Sequence, residues 1–426
     1  MRLSCRRSQV AQATVHSSTP TYSELVRILI CASQAPVPPL TGSSLPLFHL
    51  CEQLAQRHEV TVIGYAGSDA QGTPPAGVNL VRLPLPGASE SASARSTLRA
   101  LLLRKPRAVA ALSPPMSDAV GRLLNQRAFD IVHVADSSLA DVASAVGNTP
   151  RILAALDAWH LNIDATARLA PAYQRPLYRL QARNIRRFEA SAYRRFQRVV
   201  VVSKQDAEAL RGLDPQLELE VIPNGVDAAR FEPNREIQRE EGLVVFTGVM
   251  HWPPNVEAAR FLVTRVLPRL RERLPAARVA LVGRDPSPAV GELAAIDGVE
   301  VTGEVSDVRP WLWRAQAFAC PMVSGTGIKN KLLEALACGA PCVATPLACQ
   351  GTGIAPGEQA LIAESEQGIA DALAAVLTDD GLRGRLGRAG RQHVVSNYSW
   401  GRVARDYEHV YEEALAAGPP GQNAQP

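Results

Sequence analysis

The 426-residue chain has no apolar run of the roughly 18–20 residues needed to cross a bilayer, so a membrane-spanning helix is not expected. The first 25 residues lack the apolar stretch of a secretory leader; Arg6, Arg7 and many Ser and Thr stand there instead. We expect 1–25 to be a disordered extension. Val26-Arg27-Ile28-Leu29-Ile30 reads as the natural opening of a first strand, which places the expected translation start close to it. Paired cysteines are also missing. The seven cysteines form no C-x-x-C and are odd in number. A secreted disulfide framework or a zinc site is therefore not expected, and a reducing cytosol fits better. Cys338, Cys342 and Cys349 read as buried small residues rather than ligands. Charge of one sign is scarce: the net charge is +4, which calls for no nucleic-acid partner.

What remains is a globular composition, 46% hydrophobic and 20% charged, with enough apolar mass for two cores. Short β-branched runs read as buried parallel strands at 27–32, 60–65, 78–85, 130–134, 151–156 and 199–203. A second series follows at 243–248, 278–283, 299–303, 317–322 and 341–345. Amphipathic stretches lie between them. Leu47, Leu50, Cys51, Leu54 and Ala55, for example, recur on one helical face. This alternation predicts an α/β chain of two doubly wound, Rossmann-like parallel-sheet domains. The break falls at 224–241, where Pro223, Asn224, Gly225 and Pro233 precede a charged stretch. The expected divisions are 26–223, a linker at 224–241, 242–396, a helix at 397–416 and a disordered tail at 417–426.

Parallel sheets bind ligands beyond the carboxyl ends of their strands. After the first strand, Gly42, Ser43 and Ser44 open a helix. This is either an ordinary capped loop or a cradle for an anion or a sugar hydroxyl. A sharper signal is Gly325-Thr326-Gly327-Ile328-Lys329-Asn330-Lys331, which leads into a helix expected to begin near Ile328. Its free N–H groups and dipole favour an anion, and Lys329 and Lys331 add charge. A diphosphate would relieve those lysines' conflict with the dipole; a solvated basic face is the alternative. Glu334, deeper in the same helix among Leu332, Leu333, Leu336 and Ala337, needs partners if buried, and two ribose hydroxyls would serve.

These residues resemble the retaining GT-B glycosyltransferases of family 4. The resemblance rests on Gly325–Glu334 with the following 335–344. It extends to Ile222-Pro223-Asn224-Gly225-Val226-Asp227, to Gly303-Glu304-Val305-Ser306-Asp307-Val308, and to Tyr398-Ser399-Trp400. It covers about 27–416 and is similar to a subgroup linked to exopolysaccharide or sorting gene clusters. It implies an acceptor-side N-terminal domain, a nucleotide-sugar-binding C-terminal domain and a final helix that crosses back. It also implies transfer of a hexose-type sugar from a nucleotide diphosphate to a polysaccharide or lipid-linked acceptor, without metal or other cofactor, in the cytoplasm.

By the same resemblance the donor contacts are Gly42, Ser43, Gly248, Val305, Asp307, Gly325, Thr326, Gly327, Ile328 and Glu334. Three positions depart from the family pattern. Thr326 stands for a sugar-contacting Glu, Val249 onward for an Arg/Lys clamp, and Leu156 for a sugar-facing His. Lys331 and Lys329 are the expected catalytic cations in place of that clamp. Asp157 and His160 either touch sugar or acceptor, or merely open a capped helix. His133 reads as core; His251 and Trp252 form either a sugar platform or a packed loop. A nucleotide-sugar-binding protein without turnover is the alternative reading. A nicotinamide oxidoreductase is disfavoured, because no G-x-G-x-x-G follows the first strand.

One further stretch, 173–198, concentrates arginine. Arg175, Arg179 and Arg183 recur every four residues and predict a basic stripe along one helix. It is either a solvated face or a contact with anionic lipid at the inner membrane surface.

Overall fold

The computed structural model describes residues 25–38, 44–67, 72–85, 105–325 and 327–418. The expected disordered ends, apart from their innermost residues, lie outside these, as do Gly42, Ser43 and Thr326.

Two parallel sheets make up the chain. The first has strand order β3-β2-β1-β4-β5-β6-β7. Its strands are β1 (Arg27–Ala32), β2 (Glu59–Ala66), β3 (Val78–Pro84), β4 (Ile131–Val134), β5 (Arg151–Leu156), β6 (Arg198–Val201) and β7 (Leu219–Val221). The second has order β10-β9-β8-β11-β12-β13. It comprises β8 (Leu243–Thr247), β9 (Arg278–Val282), β10 (Val299–Val301), β11 (Ala317–Cys320), β12 (Cys342–Ala344) and β13 (Ala360–Ile362). Strand order reverses between β1 and β4 and between β8 and β11. Loops diverge at such switch points and leave a crevice at the carboxyl edge.

The sheet is buried on both sides because side chains alternate along each strand. In β1, Leu29 and Cys31 enter one core. Ile28, Ile30 and Ala32 enter the other. Leu47, Leu50, Cys51 and Leu54 of helix α1 (Ser44–Leu54) cover that second face. The helices used below are α2 (Trp159–Leu169), α3 (Arg175–Ala192), α4 (Pro253–Phe261), α5 (Asn330–Ala337) and α6 (Trp400–Ala417).

Helix α6 follows the second domain in sequence but packs in the first. Trp400, Val403, Ala404, Tyr407, Val410 and Tyr411 belong to the core beneath β1. Glu408 is held there by Arg57 Nε at 2.8 Å and by His58 Nε2 at 3.1 Å. The chain passes between the domains twice at one place, where Val226 bridges Ser399. Gly225 lies against the Trp400 ring so closely that a Cβ would stand 2.5 Å from it, so only glycine fits there.

Two expectations shift. Strands β7 and β13, each three residues long, lie at sheet edges and were not expected. The basic helix is shorter than 173–198: α3 ends at Ala192, a 3-10 turn follows at Tyr193–Arg195, and β6 begins at Arg198. Leu177 and Leu180 point outward, whereas Ile185 and Phe188 are buried.

Candidate active site

The second sheet builds a cationic pocket at its switch point. Gly248, just past β8, donates its N–H to Val282 O at 3.0 Å. Gly283, at φ 149°, approaches so closely that a Cβ there would stand 1.8 Å from Gly248 O. Glycine is therefore obligatory where the two strand ends meet. The chain then enters α4 through Trp252, Pro253 and Pro254, with proline tolerated at the first helical positions.

Asn255, buried in the first turn of α4, was not singled out by the sequence. Its Nδ2 donates to Val249 O at 2.9 Å, and its Oδ1 accepts from Lys331 Nζ. The Lys331 ammonium also lies 4.7 Å from the Phe246 ring centroid and 4.0 Å from Met322 Sδ. All three neighbours are uncharged, and no carboxylate lies within ion-pair reach of this amine among the described residues. Burial pushes Lys331 down to about 8. A half-buried ammonium without a direct ion-pair partner among the described residues, and with only the longer-range pull of Glu334, suits an anion, because buried charge is normally paired.

Lys329 behaves differently. The helix begins at Asn330, two residues later than expected, and leaves Lys329 at the N-cap. Gly325 and Gly327 adopt φ 100° and 72°, left-handed values suited to glycine. Their carbonyls accept from Lys329 Nζ at 3.1 and 2.7 Å. Lys329 is thus buried inside the loop it was expected to arm, and burial lowers its pKa. Ile328 is half-buried against the core.

Glu334 lies one turn beyond Lys331 on α5. Its carboxylate accepts no hydrogen bond among the described residues, and burial raises its pKa against the pull of Lys331 and Arg230. Arg230, a linker residue missed by sequence reasoning, thus acts on this carboxylate. The loop after β10 is tied down by its own ion pair. Asp307 accepts from Arg309 N at 2.9 Å and from Arg309 Nε at 2.8 Å, and this pairing lowers its pKa. Arg309 also donates to Arg230 O at 3.0 Å and so fixes this loop to the linker. Asp307 therefore shapes the loop with a carboxylate already engaged, while Val305 packs half-buried on the core.

Across the chain, β5 ends in a kink. Leu156 has φ 65°, uncommon for a residue with a bulky side chain. The β5–β6 register shifts between Ala154 and Leu156. The kink presents Asp157, whose Oδ2 accepts from Asn162 Nδ2 at 2.7 Å. Burial, followed by the charges of Asp206, Glu189 and Asp136, raises Asp157 to about 6. His160 follows in the first turn of α2 and is buried. Its Nδ1 lies 2.7 Å from Oε2 of Glu189, a fully buried residue of α3. Glu189 is the sole acid within 173–198, a signal the sequence did offer. At the first switch point, Ser33 Oγ donates to Asp136 Oδ2 at 2.7 Å and links the ends of β1 and β4.

His133 is a core residue. Its Nδ1 is 2.8 Å from Tyr411 Oη, its ring stacks on Tyr407, and burial depresses it to about 3. His251 and Trp252 are exposed, with Trp252 at 57%.

Two family models match the chain side by side: "Glycosyltransferase Family 4" over 42–230 and "Glycosyl transferases group 1" over 241–379. A D-inositol 3-phosphate glycosyltransferase of Kribbella flavida is 31% identical over 228 residues, 48% of this chain and 53% of the relative. A phosphatidyl-myo-inositol mannosyltransferase of Mycobacterium leprae is 27% identical over 46% of this chain and 54% of its own length. The chain spans about half the length of these curated relatives. Among solved structures, a sucrose-phosphate synthase from Thermosynechococcus elongatus superposes with a TM-score of 0.68 at 18% identity. That match covers 92% of this chain and 100% of the other. Anabaena HepE in complex with UDP and glucose gives 0.60 at 14% identity, over 91% and 99%. These two structures bear on the fold alone, and both share the two-domain GT-B architecture.

Proposed function

Because the chain belongs to the group 1, family 4 glycosyltransferases, we propose that it transfers a hexose-type sugar from a nucleotide diphosphate to a polysaccharide or lipid-linked acceptor. The observation that carries this reading is the pair on α5. Lys331 and Glu334, opposite in charge and one turn apart, form no ion pair with each other or with any described residue. A diphosphate with an attached ribose supplies both partners at once: oxygens for the ammonium and hydroxyls for the carboxylate. The neighbouring loop, opened by Gly325 and Gly327, lets backbone approach the phosphates closely.

Transfer breaks the bond between the anomeric carbon and the diphosphate oxygen and forms one to an acceptor oxygen. The acceptor hydroxyl loses its proton, and the leaving diphosphate gains negative charge. Stabilising that charge is the largest task, and Lys331 with the loop N–H groups would perform it without a metal. Asp157, raised to about 6, and His160 are the groups of the opposite domain suited to a sugar or acceptor hydroxyl. Retention of anomeric configuration follows from the family pattern.

The acceptor side has its own support. Tyr173, Leu177 and Leu180 are 79%, 66% and 51% exposed, and Arg175, Arg179, Arg183 and Arg187 are also exposed, spaced four residues apart along α3. Aromatic and aliphatic groups among arginines suit the interface of an anionic membrane, where a lipid-linked acceptor would reside. Two matched relatives carry inositol phosphate or phosphatidylinositol in their names. No described helix is long and apolar enough to span a bilayer, so the proposed contact is peripheral. Salt-sensitive co-sedimentation with vesicles containing anionic lipid, lost in Leu177→Asp/Leu180→Asp, is expected; no vesicle binding at low salt would refute this contact.

Thermal-shift titration with UDP, GDP, ADP and dTDP sugars tests the donor reading. The true donor at about 100 times its Kd should add about 2.7 kcal/mol of stability. No stabilisation by any of them would overturn it. Because the 249–254 loop supplies no Lys or Arg beside Gly248, a binding protein without turnover is the second reading. Product formation with the stabilising donor separates the two.

A further inference from the structure

We propose that Glu189 is a positioning residue that holds the His160 imidazole with Nδ1 protonated and Nε2 bare, so that Nε2 accepts a hydrogen bond from a hydroxyl of bound sugar or acceptor. The catalytic half of this inference rests on the transferase reading above; the assignment of the tautomer does not.

Glu189 is 0% exposed, on the face of α3 that also buries Ala182, Ile185, Phe188 and Ala192. Among the described residues no Arg or Lys pairs with it. Its Oε2 lies 2.7 Å from His160 Nδ1, and its Oε1 accepts from the His160 backbone N–H at 3.4 Å. Tyr193, buried one turn away, donates its hydroxyl to Ser137 instead, at 2.9 Å. A carboxylate this deep, hydrogen-bonded only to His160 among the described residues and close enough to Asp157 and Tyr193 to raise both, is costly; hydrocarbon in its place is often neutral or stabilising. Its placement against His160 points to a task.

An ionised carboxylate only accepts, so the proton between the two side chains sits on Nδ1. The lone pair of the ring is then on Nε2, which has no hydrogen-bond partner among the described residues. His160 stands just past the carboxyl end of β5, beside Asp157, where open parallel sheets take their ligands. Burying both the acid and the ring, whose side chains are 0% and 5% exposed, leaves a single orientation. A base fixed by a carboxylate on its far nitrogen is the arrangement that sets which nitrogen meets substrate.

Long-range 1H–15N correlation on the full chain labelled with 15N-histidine reads the tautomer directly, with His160 assigned by the signal lost in His160→Gln. The wild type should show Nδ1–H and unprotonated Nε2 near neutral pH. Glu189→Leu should keep or raise the melting temperature, release the Nε2–H tautomer and lower kcat about 100-fold. Donor Kd from calorimetry should stay unchanged. Glu189→Gln, whose Oε1 can still accept, should fall between the two; it is read alone if the Leu variant does not fold. Protonated Nε2 in the wild type, or a tautomer indifferent to both substitutions, overturns the positioning role. A changed tautomer with unchanged kcat overturns the catalytic half. Wild-type protein that transfers no sugar from any donor counts against the transferase reading, while the nitrogen spectra still decide the role of Glu189.

Discussion

Asp157→Asn should make the protein more stable at neutral pH while it lowers activity. Burial raises this carboxyl from 3.8 to about 6. Over two powers of ten in acidity, at about 1.4 kcal/mol each, that amounts to about 3 kcal/mol. Solvent reaching a half-buried group reduces the figure, so we expect about 1–3 kcal/mol at pH 8. Between about pH 4 and 6 the folded chain holds a proton that the unfolded chain releases. Stability from this group therefore falls as pH rises through that window and is lowest above it. Asparagine removes the charge yet keeps an oxygen that can accept from Asn162 Nδ2. Urea unfolding of both proteins at pH 4 and pH 8 measures the difference. A gain of about 1–3 kcal/mol at pH 8 that vanishes near pH 4, with reduced sugar transfer, is the expected result. Equal or lower stability of the variant at pH 8, or a gap that grows as pH falls, would refute the burial argument.

Lys331→Ala should cost about 3–4 kcal/mol of transition-state stabilisation, or 10²–10³ in kcat; wild-type turnover in single-turnover assays would remove Lys331 from that role. Glu334→Ala should weaken donor binding by about 1.5–3 kcal/mol in calorimetry. Because it deletes a carboxylate that accepts no hydrogen bond among the described residues, it should not lower the melting temperature of the unliganded protein; a large drop would show that the acid is paired after all. Gly283→Ala sets a Cβ 1.8 Å from Gly248 O and should destabilise the second domain by about 3 kcal/mol or more; an unchanged melting curve with intact donor binding would mean that the strand ends are not this close.

The sheets were legible because parallel strands buried on both faces announce themselves as unbroken β-branched runs. All eleven expected strands overlap observed ones, from Arg27–Ala32 to Cys342–Ala344. The two missed, Leu219–Val221 and Ala360–Ile362, are three-residue edge strands, as is Val299–Val301, which was found. The final helix was legible as amphipathic. That its apolar face fills the core under β1 is a tertiary fact, sealed by Glu408 meeting Arg57 and His58 across some 350 positions of sequence. The outward turn of Leu177 and Leu180 was illegible for the same reason, since periodicity gives the faces of a helix but not the neighbour each one meets.

The same limit governs the site. Lys329 and Lys331 look alike in the sequence, and a helix starting at Ile328 would put both in its first turn. Starting at Asn330 instead leaves Lys329 outside the helix, where it folds back onto the carbonyls of Gly325 and Gly327. Lys331 alone then projects toward Asn255, Phe246 and Met322, without an ion-pair partner among the described residues. Two left-handed glycines turn those carbonyls inward, and two inward carbonyls are what an ammonium can satisfy. The loop therefore consumes one cation in holding its own shape and leaves the other for a ligand. It follows that the lysines should fail differently when removed. Loss of Lys331 should appear in the chemical step, and loss of Lys329 in the affinity of a loop no longer closed around its own backbone.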